Sequence, residues 1–156
     1  MADTDIRRAL VAPPFEGEGI PMTKDTDDIL TTLKFELEFI KANGYAMSTR
    51  SPWRQPSLFL DSPSCLNFTA STAVRPCKEC ELYHFVPDAD RSKTVPCHHI
   101  PLNEANDTVD SLEWETDQNG IQEAVEKWLY EAIDKLEQKQ VREVTAVSSE
   151  ADGRAL

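Results

Sequence analysis

Seven of the ten prolines in this chain fall between Tyr45 and Pro101, and their spacing constrains the fold more than any other feature. Pro52, Pro56, Pro63, Pro76, Pro87, Pro96 and Pro101 each fix φ and remove a backbone donor, so no long helix can run through the stretch. Short strands and turns are what remain. Ser57 to Leu60, Leu66 to Thr69, Glu81 to Val86 and His99 to Leu102 are short, rich in apolar or aromatic residues and bounded by turn residues, which predicts strands. Asn103 to Asp107 reads as a turn, and Thr108 to Trp114 as the returning arm of a hairpin.

Helical patterns flank this region. Asp25, Thr26, Asp27 and Asp28 place caps and negative charge at a helix start, Leu30, Leu33, Leu37 and Ile40 recur at helical spacing, and Gly44 suits a left-handed C-terminal turn. The spacing predicts a helix over about 26–43. Phe35, Leu37 and Phe39 alternate as a strand would, but the caps and the length decide for helix. The second pattern is stronger: Ile121, Ala124, Val125, Trp128, Leu129, Ala132, Ile133 and Leu136 form one apolar stripe, with Thr116, Asp117 or Asn119 as caps and a polar run from about Gln138. The predicted fold class is therefore α+β, with two amphipathic helices packed on short antiparallel strands. Residues 1–24, with Pro13, Pro14, Gly17, Gly19 and Pro21, read as a flexible leader, 25–140 as a single domain and 141–156 as a flexible tail.

All four cysteines lie in the irregular middle. Cys65 is followed after eleven residues by Cys77, after two by Cys80 and after sixteen by Cys97, with His98 and His99 next. Two intervening residues let Cys77 and Cys80 turn both sulfurs toward one centre, and neighbouring backbone amides can offset thiolate charge. Zinc takes four tetrahedral sulfur or nitrogen ligands, so Cys65 and Cys97 complete the set, and His98 or His99 could substitute for Cys65 or stand just behind the ligands. Reduced cysteines are often only small buried apolar side chains, but such residues need not cluster as these do. The expectation is a zinc-ribbon-like four-cysteine site organising a region that local propensity cannot hold, with an iron–sulfur cluster as the alternative cofactor. His84, between Tyr83 and Phe85, reads as a surface or supporting residue.

The formal net charge of −12 is unevenly placed. Residues 1–40 carry −5, residues 41–97 carry +2 and residues 98–156 carry −9. An acidic envelope repels phosphate backbones, so general nucleic-acid binding is not expected, although Arg50, Arg54, Arg75, Lys78, Arg91 and Lys93 leave a small basic face. No stretch reaches the roughly 18 apolar residues of a membrane span, and Met1 to Gly17 lacks the apolar centre of a secretory signal. These features point to the cytoplasm, where thiols stay reduced and the sequons at Asn67 and Asn106 are chance matches.

Enzyme signatures fail on particular residues. Pro76-Cys77-Lys78-Glu79-Cys80 matches half of the zinc-deaminase signature, but Cys65-Leu66-Asn67 offers asparagine where the proton-shuttling glutamate must stand. A thioredoxin-like motif should follow a strand and open a helix, whereas here it precedes an apparent strand. With 5 glycines there is little material for a phosphate loop.

Asp61-Ser62-Pro63-Ser64-Cys65-Leu66-Asn67, Cys77 and Cys80, Phe85-Val86-Pro87, and Val95-Pro96-Cys97-His98-His99-Ile100-Pro101-Leu102-Asn103 together resemble a group of small bacterial proteins. The resemblance covers most of the chain, brings no activity, and implies that the cysteine segments belong together. The glycine usual after Cys-x-x-Cys in zinc ribbons is Glu81 here. The predicted function is a small zinc-binding protein acting as a non-enzymatic binding or adaptor module for a protein partner, with an iron–sulfur or thiol redox protein as the alternative.

Overall fold

The computed structural model describes residues 24–46, 53, 55–68 and 74–151. Helix α1 spans Lys24–Lys41, α2 spans Val109–Glu115 and α3 spans Gln118–Ala151. The leader expected at 1–24 lies outside the described residues except for Lys24. The polar run after Gln138 continues α3 as far as Ala151, because Lys, Gln, Arg, Glu and Ala there all favour helix. No helix among the described residues is long and apolar enough to cross a membrane.

Helices α1 and α3 pack antiparallel. Gln140 Nε2 donates to the Asp27 carboxylate at 2.9 Å, and Lys34 Nζ meets Glu137 Oε1 at 2.6 Å. Between these rungs and the far end, Leu30, Leu33, Leu37 and Ile40 are buried with Ile121, Val125, Trp128, Leu129, Ala132 and Ile133. At the end of α1 the left-handed residue is Asn43, with φ 58°, rather than Gly44. Asparagine tolerates that conformation, and Gly44 is needed for a different reason: a Cβ there would come within 2.5 Å of the Phe39 ring.

The middle of the chain corrects the expected fold class. No strand exists among the described residues, so neither the antiparallel strands of the α+β expectation nor a zinc-ribbon-like framework is present. Turns of 3-10 helix at Cys77–Glu79, Glu81–Phe85, Asp88–Asp90 and Pro96–His99 take their place. The prolines account for this, because Pro76, Pro87 and Pro96 stand at or just before the first residue of a turn, where the fixed φ fits and the missing N–H is not needed. Spacing also argues for it once seen: within Glu81–Val86 the inward residues are Leu82, Phe85 and Val86, three and four apart, which is one helical turn.

The expected hairpin arm at 108–114 is instead α2. Thr108 Oγ1 accepts from the Ser111 amide at 3.1 Å and Ser111 Oγ accepts from the Thr108 amide at 2.9 Å, a reciprocal cap that starts a helix. The turn before it is real, with Asn106 left-handed at φ 62° and the Leu102 amide donating to the Asp107 carbonyl.

Buried apolar side chains from the turns and from α2 close the core under the helix pair. The Phe59 and Phe85 rings meet Trp128 edge-on at centroid distances of 6.3 and 5.2 Å, and Leu58, Leu82, Val86, Ile100, Leu102 and Val109 fill the remainder. The helix pair thus rests on a pad of short turns that has no ladder among the described residues. Such a pad is held only by its side chains and by whatever else ties its segments together.

Candidate metal centre

The pad brings the four cysteines to one place. Cys65, Cys77, Cys80 and Cys97 all line a single cavity of about 50 Å³, walled otherwise mainly by apolar side chains such as Leu60, Leu82 and Val95. Three separate segments deliver them. The Cys80 amide donates to the Cys77 carbonyl at 2.9 Å, so the Cys-x-x-Cys pair closes as a single 3-10 turn. Cys97 sits in the turn opened by Pro96, and the Cys65 amide donates to the Ser62 carbonyl at 3.0 Å.

The electrostatics report the same convergence. Burial pushes the Cys97 thiol well above its ordinary range, and charge on Cys80, Cys65 or Cys77 would push it further. Burial raises Cys80 as well, with Cys65 and Cys77 adding to it, while the Leu82 amide donates to the Cys80 sulfur and works the other way. Cys77 is raised by burial and then by Cys65. Every pair of the four is within electrostatic reach. All four are free thiols, with Cys77 exposed and the others partly covered.

Among the described residues, no group of three or more His, Cys, Asp and Glu side chains stands in a metal-holding arrangement. The donor set itself fits a thiophilic ion with four sulfur ligands, and an amide already directed at the Cys80 sulfur is the kind of outer partner such sites use.

His98 and His99 are not brought to this cavity. Both line a second, polar pocket of about 480 Å³ with Ser57, Lys93, Asp110 and Glu113. His98 is buried, and its Nε2 lies 2.8 Å from the Leu58 carbonyl oxygen and 3.2 Å from Ser57 Oγ, with Nδ1 3.8 Å from Glu113 Oε1. Ser57, His98 and Glu113 have the outline of a nucleophile, base and acid. A carbonyl can only accept, however, so Nε2 carries the hydrogen and has no lone pair to take the Ser57 proton. The group is a cross-link between the 57–58 turn, the 96–99 turn and α2. His84 stands exposed, 4.0 Å from Glu81.

Reading the sequence missed one residue that shapes the site. Glu36 on α1 is fully buried, at 0% exposure. One carboxylate oxygen accepts from the hydroxyls of Ser62 and Ser64, and the other accepts from the Tyr45 hydroxyl at 3.0 Å. The Tyr45 oxygen in turn accepts from the Phe59 amide at 3.0 Å, which holds Phe59 left-handed at φ 64°. A bulky residue in that region is strained by about 1–3 kcal/mol, so the network must fix it. Glu36 therefore ties α1 to both ends of the segment that leads into Cys65. Its position three residues after Leu33 and four before Ile40, on the apolar stripe itself, was the available signal.

Two residues of the expected basic face are paired with acids. Arg75 pairs with Glu79 at 3.0 Å and Arg91 with Asp88 at 2.6 Å, while Arg50 and Arg54 lie outside the described residues. No protein-family model, curated protein or solved structure matches the chain.

Proposed function

We propose that this protein is a non-enzymatic binding module whose irregular middle is held by one structural zinc ion on Cys65, Cys77, Cys80 and Cys97. The observation that carries the reading is the lining of one small cavity by four thiols from three chain segments. A zinc ion held by four thiolates contributes folding energy and no reaction of its own. The need is evident in the pad of turns, which has no hydrogen-bonded ladder among its described residues to hold it.

Two features favour this over thiol redox chemistry and over metal-assisted hydrolysis. A reactive cysteine needs a depressed pKa, and Cys77, Cys80 and Cys97 are all shifted upward. A site fully supplied with sulfur also leaves no position open for water, which a hydrolytic metal requires. A reducing compartment such as the cytoplasm suits such thiols. Metal analysis of anaerobically purified protein is the test: one equivalent of zinc in a colourless sample is expected. A brown sample containing iron and sulfide would replace this reading with an iron–sulfur protein, and a metal-free, folded sample would end it.

A further inference from the structure

Helix α2 turns Val109 and Leu112 toward the core and leaves Asp110, Glu113, Trp114 and Glu115 exposed. Trp114 is 89% exposed, whereas Trp128 is 7% exposed. An indole left in water forgoes a large burial gain, and tryptophan is the side chain most enriched where proteins meet partners. Its surroundings are of one sign. From Thr94 to Glu126 the chain has eight carboxylates and neither lysine nor arginine. Among the described residues, the only one of these carboxylates in an ion pair is Glu113, with His98 at 3.8 Å. Lys93 lines the pocket that Asp110 and Glu113 share.

We propose that this face of α2, with the Trp114 ring set among Asp110, Glu113 and Glu115, docks an arginine-rich segment of a protein partner. The inference rests on the binding-module reading and names the partner's chemistry. The carboxylates supply attraction and speed of encounter, which any polycation would feel. Trp114 supplies selectivity, because a guanidinium plane stacks on an indole face and pairs bidentately with a carboxylate, and an ammonium does neither as well.

Titration of the full chain as purified with nona-arginine, nona-lysine and nona-glutamate peptides, followed by calorimetry, tests this. Nona-arginine should bind more tightly than nona-lysine, nona-glutamate should not bind, and added salt should weaken both cationic peptides. Trp114→Ala, at a site too exposed to affect folding, should weaken nona-arginine about tenfold and remove its advantage over nona-lysine. Trp53→Ala is the control, since Trp53 is equally exposed at 87% but is followed by Arg54 rather than by acids. Unchanged affinity in Trp114→Ala, or equal loss in Trp53→Ala, would reduce the effect to general charge attraction and overturn the proposal. Zinc content measured on the same samples separates the two readings: Trp114-dependent binding without zinc upholds this surface and removes the metal, whereas zinc without such binding removes the surface alone.

Discussion

Cys80→Ser is expected to abolish zinc retention and to cost more than about 5 kcal/mol of stability, because binding at a structural four-sulfur site is worth on the order of 10 kcal/mol. The variant isolates that contribution well. Cys80 is only partly buried, so a serine there replaces sulfur by a smaller polar atom without opening a large cavity. Were the thiol no more than filler, the cost would be about 1–2 kcal/mol, the ordinary result of placing a hydroxyl where an apolar group had been. Thermal melts of the wild type and the variant, with and without a chelator, distinguish the two sizes of effect. A chelator should bring the wild type down to the variant and leave the variant unmoved.

The second large effect belongs to Glu36. Glu36→Ala removes the acceptor of three hydroxyls at once, those of Ser62 and Tyr45 buried, and releases the tie that holds Phe59 left-handed, so a loss of roughly 3–5 kcal/mol is expected in a denaturant titration. Glu36→Gln keeps the volume and one carbonyl acceptor and should lose about half as much. It should also change the pH profile. Burial holds the Glu36 carboxyl above its ordinary value, against the hydroxyls of Ser62, Ser64 and Tyr45, which pull it down. The folded protein thus binds that proton more tightly than the unfolded chain does. Its contribution favours folding fully below the unfolded value, near 4.5, and is lost as pH rises through the folded one. Wild type should therefore lose stability across that window, while Glu36→Gln should not show that component. Identical slopes in the two proteins would show that the carboxyl carries no folding-linked proton.

What could be read from residues alone divides along physical lines. The two long helices were legible because their stripes, Leu30 to Ile40 and Ile121 to Leu136, are set by a local period that burial obeys. The middle was misread because a short apolar run bounded by turns looks the same whether it forms a strand or a single helical turn, and only the spacing of Leu82, Phe85 and Val86 separates the two. Thr108 and Ser111 were a missed cap: the reciprocal pattern is normally completed by Glu or Gln, and serine in that place hides it. Clustering of the cysteines was legible, and the four do share a cavity. That His98 serves the Leu58 carbonyl instead could not be read, because the partner is a backbone atom 40 residues away. Glu36 was visible as a charge on an apolar stripe, but its acceptor role depends on Ser62 and Ser64, which only the tertiary fold brings to it.

X-ray absorption at the zinc edge bears most directly on whether four sulfurs share one ion. The arrangement of Cys65, Cys77, Cys80 and Cys97 around a single cavity, with both neighbouring imidazoles in a different pocket, leads to a shell of four sulfur atoms at about 2.3 Å and no nitrogen. A shell containing histidine nitrogen near 2.0 Å, or fewer than four sulfurs, would contradict it.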